Sequence, residues 1–209
     1  MKLYDCATAP SPRRVRMYVA EKGIDLESTE VDLRNGEHLS VAFRELNPDC
    51  TVPVLELDDG TCLTEVIAIC QYLEDLTPVP RLMGDDPAER AKVLMWNCKA
   101  EMHGLAAIAE MFRNKAGGFK NRALTGPHDF EQIPALVDRG QRRTELFFDR
   151  LNDALAFQRY LAGDNFTLAD ITSFVAVEFA FWNKISIAVD QPHLQRWFDE
   201  VKARPSARA

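Results

Sequence analysis

Thr51-Val52-Pro53-Val54-Leu55-Glu56-Leu57-Asp58-Asp59-Gly60-Thr61-Cys62-Leu63-Thr64-Glu65 is the stretch on which the fold turns. Two short apolar runs flank Asp58-Asp59-Gly60. Asp-Gly between such runs is a strong hairpin signal, because glycine accepts the positive φ of a tight turn. The residues from about Glu65 to Leu76 carry helical spacing. Upstream, Asn47-Pro48 ends a short helix over His38 to Leu46, since a residue before proline is pushed out of helical geometry. A strand is expected near Thr29 to Leu33. Before it, a helix opens around Pro12, runs through Val15, Val19 and Ala20, and stops at Gly23. Leu3-Tyr4 is the first strand. The order βαβ, helix, ββα predicts a small mixed sheet: a parallel pair joined by a helix, then an antiparallel hairpin, with helices on its faces.

Downstream the pattern changes. Thr77-Pro78-Val79-Pro80 and Gly84-Asp85-Asp86-Pro87 read as a linker, with the aspartates and Pro87 opening a new helix. From Ala88 onward the signals are helical. One long helix is expected to about Lys115, ending before Gly117-Gly118, and a second over Glu131 to Leu155 with Pro134 in its first turn. Phe166-Thr167-Leu168-Ala169-Asp170-Ile171 has the form of a capping box with a hydrophobic staple, with Asp in place of the usual Glu or Gln. An apolar helix to about Trp182 and an amphipathic one from Pro192 through Leu194, Trp197 and Val201 complete the chain. The expected domains are therefore 1–77, a linker over 78–86, and an all-helical 87–209.

The 209 residues carry a net charge of −7, which repels a phosphate backbone and argues against a nucleic-acid partner. Cys6, Cys50, Cys62, Cys70 and Cys98 are odd in number and match no CxxC or metal spacing, so free thiols in a reducing cytoplasm and no metal are expected. Met1-Lys2-Leu3-Tyr4-Asp5 reaches an acidic residue before any apolar signal region, and no apolar run has the length of a membrane span.

Four segments, in this order and at this spacing, resemble the soluble glutathione transferase family: Pro10-Ser11-Pro12-Arg13-Arg14-Val15-Arg16, Gly36-Glu37-His38, Thr51-Val52-Pro53-Val54-Leu55 with Leu63-Thr64-Glu65, and Gly163 to Ile171. The resemblance spans nearly the whole chain. Within the family the sequence looks most like an atypical fungal and bacterial branch that lacks the usual catalytic Ser, Tyr or Cys. The fold it implies is a thioredoxin-like domain that holds glutathione, followed by an all-helical domain that shapes a pocket for a hydrophobic electrophile. It also implies a cytoplasmic homodimer engaged in detoxification.

The resemblance assigns roles residue by residue. Pro53 is expected to be cis, turning the Val52 backbone toward the cysteinyl backbone of glutathione. The other reading is a trans proline opening an edge strand. Glu65 is expected to bind the γ-glutamyl amino group, or else only to complement a helix dipole. The family's Ser or Thr for the γ-glutamyl carboxylate is here Val66, leaving a backbone N–H and the Thr64 hydroxyl as the donors. His38 matches a histidine that reaches the glycyl carboxylate, although Leu39 stands where a lysine is usual. A solvated side chain is the alternative.

The reaction needs a thiolate, and a free thiol with a pKa of about 8.5 is only slightly ionised at neutral pH. The usual serine or cysteine position holds Ala9, which also argues against disulfide exchange. Three replacements are open: the hydroxyls of Thr8 and Ser11 beside the gap, the N–H groups at the helix start including that of Ser11, and Arg113, which the resemblance places where the atypical fungal members carry a catalytic side chain and whose positive charge would lower a thiol pKa. Turn formation explains Thr8 and Ser11 equally well, and a solvated helix face explains Arg113. Met111 and Phe112 are the candidates for the electrophile pocket, against a plain core role. A non-catalytic binding or regulatory module on the same fold, supported by Ala9 and Val66, stays open beside the enzyme. So does a glutathione-dependent isomerase.

Overall fold

Val54–Glu56 (β3) lies in the middle of a four-stranded sheet of order β2-β1-β3-β4, with Lys2–Asp5 as β1, Glu27–Glu30 as β2 and Cys62–Leu63 as β4. The computed structural model describes residues 1–209. They form two compact units: Met1–Pro80 with Thr125–His128 and Arg208–Ala209, and Arg81–Leu124 with Asp129–Ala207. β1 pairs parallel with β2 and antiparallel with β3, and β3 pairs antiparallel with β4. The hairpin turns at Gly60, whose φ of 85° suits glycine. This is the thioredoxin-like arrangement that the βαβ–α–ββα order predicts.

In the first unit, Pro10–Lys22 (α1) and Val66–Leu76 (α3) pack against each other. Val15, Met17, Tyr18, Ile69 and Leu73 lose all exposure there, each side chain of this size contributing about 1.5–3 kcal/mol by leaving water. A second apolar cluster joins Val31, Phe43 and Val54 with Tyr4, Leu33 and Leu46. Beneath the helices, the Tyr18 hydroxyl and the Lys22 ammonium both meet Glu74 Oε2, and Lys22 also donates to Thr77 O at 2.8 Å. Burial and Glu74 together raise the Tyr18 phenol far above its ordinary value.

Two expected boundaries shift here. The strand foreseen over 29–33 is Glu27–Glu30, whose side chains are all exposed. Its position is set by backbone pairing with β1, which alternating hydrophobicity cannot reveal. Val31 follows it and donates to Asp5 O at 2.7 Å. The helix foreseen over 38–46 divides into a 3₁₀ turn, Glu37–Leu39, and Val41–Leu46 (α2). Ser40 breaks it by capping α2, its Oγ accepting from Phe43 N at 3.2 Å.

The second unit is helical. Pro87–Lys99 (α4) opens on Asp86, whose Oδ1 accepts from Ala88 N at 2.7 Å and Glu89 N at 2.9 Å. The expected single helix to Lys115 is continuous but irregular. Ala100–Leu105 is a π turn between α4 and Ala106–Lys115 (α5). Ala106 N–H reaches back five residues to Glu101 O, and Arg143 Nη2 donates to Met102 O at 2.6 Å. Gly104 sits in this turn because a Cβ there would lie 2.7 Å from the Phe147 ring. The next helix starts at Ala135 (α6, Ala135–Leu155), four residues later than expected. Residues 131–134 are instead tied to the end of α5. Gln132 Nε2 donates to Arg113 O at 2.7 Å and Ala116 O at 2.8 Å, and Ile133 N to Asn114 Oδ1 at 2.7 Å.

Leu168–Trp182 (α7) is buried on nearly every side, and Pro192–Lys202 (α8) covers it with Trp197 and Phe198. The Thr167–Asp170 capping box is present. Asp170 is fully buried. Its Oδ1 accepts from Leu161 N and Trp197 Nε1, both at 2.9 Å, and its Oδ2 from the N–H and hydroxyl of Thr167, both at 3.0 Å. Burial nevertheless lifts its carboxyl to about 6, above the pull of those donors. No helix is long and apolar enough to cross a membrane.

Candidate active site

The strand registers bring four connections to one end of the sheet. Asp5 is paired with Glu30 in the parallel ladder, Tyr4 with Val54, and Leu55 with Leu63. Hence the chain leaves β1 and β2, enters β3 and leaves β4 at the same end. Thr8 and Ser11 follow β1, His38 lies beyond β2, Val52 and Pro53 precede β3, and Glu65 and Val66 follow β4. Six of the positions singled out from sequence therefore share the carboxyl end of the parallel pair, with Pro53 as a seventh. That end is where ligands commonly sit in sheets of this kind.

The turn after β1 is held from several sides. Arg16 Nη1 pairs with Asp5 Oδ1 at 2.6 Å, and Arg16 Nη2 donates to Ala7 O at 3.0 Å. Ala7 N donates to the Glu30 carboxylate, 3.1 Å from each oxygen. The turn leads to α1 without a side-chain cap, because the N-cap is Ala9. Pro10 and Pro12 have no N–H, so Ser11 supplies the one backbone donor among the first three helical residues, and that N–H has no partner within the chain. The Ser11 hydroxyl accepts from Arg14 Nη2 at 3.3 Å, which leaves its own proton to donate. Thr8 is exposed, with Oγ1 3.6 Å from Cys6 Sγ.

The Val52–Pro53 peptide is cis. Val52 lies just before the ladder, and its own N–H and C=O are left unbonded. Glu65 takes φ 63° and ψ 122°, a conformation rare for a residue with a side chain. Such outliers cost about 1–3 kcal/mol and cluster at functional positions. Its carboxylate is exposed and unpaired, and the N–H groups of Val66 and Ile67 that open α3 have no acceptor. His38 is half-buried on the 3₁₀ turn after Gly36.

Arg113, Met111 and Phe112 belong to the helical unit. Arg113 Nη2 donates to Arg122 O at 2.6 Å and Leu124 O at 2.8 Å, and the guanidinium lies 4.5 Å over the Phe119 ring. Burial and the neighbouring Arg122 lower it to about 10. These bonds fasten the segment after α5. Met111 is sealed under α6, where a Cβ on Gly140 would lie 2.9 Å from its own. Phe112 is half-buried and meets Phe119 and Phe179 edge-on at 5.2 and 5.5 Å between centroids, while Phe179 meets Trp182 at 5.2 Å. Sequence reading missed Phe179 and Trp182. Their signal was a spacing of three on a helix that is apolar all round, which offers no contrast between faces.

Comparison with known proteins agrees with this geometry. A family model of the glutathione S-transferase N-terminal domain matches residues 8–76, and one of the C-terminal domain matches residues 108–205. Glutathione S-transferase 2 of Saccharomyces cerevisiae is 32% identical over 226 residues, covering 100% of this chain and 88% of its own. Maleylacetoacetate isomerase of Pseudomonas aeruginosa is 30% identical, covering 100% and 94%. The crystal structure of a glutathione S-transferase domain-containing protein of Marinobacter aquaeolei is 39% identical and superposes with a TM-score of 0.91 over 99% of each chain. A thioredoxin-like sheet with uncapped helix starts at one end, a helical second half, and full-length relatives together show that the chain belongs to the glutathione S-transferase family.

Proposed function

We propose that this glutathione transferase binds glutathione as co-substrate across the end of its sheet, and that it activates the thiol without the usual Ser, Tyr or Cys, as members of an atypical branch do. The observation that supports this reading is the set of unclaimed donors at that end. Val52 offers its N–H and C=O to the cysteinyl backbone, in the manner of an added strand. Glu65 takes the γ-glutamyl amino group. The free N–H groups of Val66 and Ile67, at the positive end of α3, receive the γ-glutamyl carboxylate. His38 serves the glycyl carboxylate.

The sulfur is then placed at the start of α1. Ser11 carries the proposal there, because it brings an unbonded N–H and a hydroxyl whose acceptor side is already engaged by Arg14. A hydroxyl that accepts from a cation donates more strongly. Thr8 is the second donor. Arg113 ranks third, since its guanidinium already serves Arg122 and Leu124. The thiolate so formed attacks an apolar electrophile, and Met111 and Phe112 remain the helical unit's candidates for binding it, Phe112 within its cluster of rings. In this proposal residues 1–77 hold glutathione, 78–86 connect, and 87–209 serve the electrophile. The protein works in the cytoplasm as a homodimer in detoxification.

The test is the ultraviolet difference spectrum of bound glutathione, titrated with pH. Saturable binding with a thiolate signal near neutrality is expected, and Ser11→Ala should raise the bound thiol's pKa by about one unit, a charge-assisted bond being worth about 1.5–3 kcal/mol. Thr8→Val should raise it less. Saturable binding with no thiolate would replace the enzyme with a binding module, and an unchanged pKa in Ser11→Ala would remove Ser11 from the site.

A further inference from the structure

Arg113, near the end of α5, is a half-buried cation with no carboxylate beside it. Elsewhere in the helical unit even exposed arginines find anions. Arg139 meets Glu110 at 2.7 Å and Arg159 meets Glu200 at 2.6 Å, although both arginine side chains are mostly exposed. The need runs the other way, because a charge drawn out of water is the one that calls for a partner. The chain has acids to spare, 32 Asp and Glu against 25 Lys and Arg. Burial first, and then the like charge of Arg122, hold the Arg113 guanidinium down to about 10.

The hydrogen bonds show which part of the guanidinium is open. Both protons of Nη2 are taken, by Arg122 O at 2.6 Å and Leu124 O at 2.8 Å. Nε is buried with no acceptor, whereas Nη1 is neither buried nor bonded. Two carbonyls thus fix the group and leave Nη1 with two N–H donors to offer. The Phe119 ring lies 4.5 Å from the guanidinium carbon and is itself edge-on to Phe112 at 5.2 Å. The open donors therefore border the ring cluster to which Phe112 belongs.

We propose that Arg113 selects electrophiles that carry a carboxylate on an apolar, ring-bearing body. The inference rests on the reading of this protein as a transferase with its electrophile beside Phe112, and it adds a charge to that substrate class. The rings take the body, and the Nη1 donors of Arg113 take the carboxylate. Such a bond joins opposite charges in partly desolvated surroundings, where it is stronger than in water. A neutral guest leaves the guanidinium uncompensated, so discrimination comes from an unpaired group in the wrong complex as well as from a bond in the right one. The net charge of −7 repels anions from the molecule as a whole, so a preference for an acid has to come from a local cation.

The experiment compares a chloronitrobenzoate with the matching chloronitrobenzamide as electrophiles for the full chain and glutathione. In both, the thiolate sulfur bonds to the ring carbon that carries chlorine, and chloride leaves with the electron pair of the broken C–Cl bond; the acid group does not react. Each kcat/KM is divided by the rate constant of the same reaction without enzyme, which removes the difference in intrinsic reactivity. A corrected preference for the acid of roughly tenfold or more is expected. Arg113→Gln, neutral but still able to donate to a carbonyl, should abolish the preference. Arg159→Gln, which removes an equal charge elsewhere in the helical unit, should keep it. Circular dichroism checks that both variants are folded. Equal corrected rates in the unaltered chain would overturn the proposal and leave the transferase reading standing, whether or not Arg113→Gln folds. Turnover of neither compound would overturn both. A loss in Arg113→Gln that is the same for both compounds would assign Arg113 to the sulfur, and a rise confined to the KM for glutathione would assign it to a carboxylate of glutathione; either result also overturns the proposal.

Discussion

Two kinds of helix start coexist in this molecule. In the sheet unit, α1 begins on Ala9 and α3 on Glu65, neither with a side-chain cap, and the N–H groups of Ser11, Val66 and Ile67 find no acceptor. In the helical unit, α4 begins on Asp86, which accepts two N–H bonds, and α7 on the Thr167–Asp170 box. Unclaimed donors at a helix start forgo stability that a single Ser, Asp or Asn would supply. On the proposed reading, the donors left open at α1 and α3 are kept for a ligand, whereas those at the starts of α4 and α7 are spent on the fold. The same physics would then separate helix starts that fold the protein from helix starts that bind.

The largest expected effect breaks the closed kind. Asp170→Ala strands the N–H groups of Leu161 and Thr167 and the Trp197 indole in a dry interior, at about 1–3 kcal/mol each. Urea unfolding should show a loss of about 5 kcal/mol. A loss below about 1 kcal/mol would mean that the box is ornamental. The same residue sets a pH signature. Its carboxyl titrates near 6 in the fold and near 4 in the unfolded chain. Its contribution is complete below about pH 4 and disappears as the pH rises through 6, by up to about 3 kcal/mol. Asp170→Asn should flatten that slope.

Next comes the open start of α3. Glu65→Ala should weaken glutathione binding by about 2 kcal/mol, roughly thirtyfold in Kd, with little change in unfolding midpoint. Calorimetry checks the first and urea the second. A large loss of stability with unchanged affinity would move Glu65 to the folding class. Asp86→Ala should cost about 1 kcal/mol of stability and leave glutathione affinity alone, as expected of a pure cap. The smallest change in stability is the most telling. Ala9→Asp would install the missing cap on α1, gaining about 0.5–1 kcal/mol in unfolding. Its carboxylate would also claim the Ser11 N–H and raise the bound thiol's pKa. Stability and thiolate should then move in opposite directions. If both improve, the open start of α1 has no part in the chemistry.

Much of this was legible in the sequence, and where reading stopped is instructive. Turn chemistry worked where one residue decides the backbone: Gly23, Gly60, Asn47-Pro48 and the Thr167–Asp170 pair. Reading lost its grip where remote partners decide. β2 has four exposed side chains and no hydrophobic rhythm, so only its neighbour β1 defines it. The start of α6 moved because Gln132 and Ile133 are bonded to the end of α5, a contact no local window contains. At the site, residue identity pointed to Val52, Glu65 and Ser11. The strained φ of Glu65 and the lone free N–H of Ser11 are backbone facts that follow from where β4 and β1 end. The Phe179 and Trp182 rings were hidden by uniform apolarity.

The π turn at Ala100–Leu105 has a consequence for how the long helix is numbered around its axis. A π turn holds one more residue than the α-helix it interrupts, and one residue of α-helix is about 100° of rotation. α4 and α5 are thus two cylinders out of phase, with Gly104 and the Arg143 bond to Met102 O locking the offset. Deleting any single residue between 100 and 105 would put the two back in phase. The ring of Phe112 and the guanidinium of Arg113 would then swing about a quarter turn past their present neighbours. In this stretch the count of residues matters as much as their identity, and a one-residue gap would be a larger change than most substitutions.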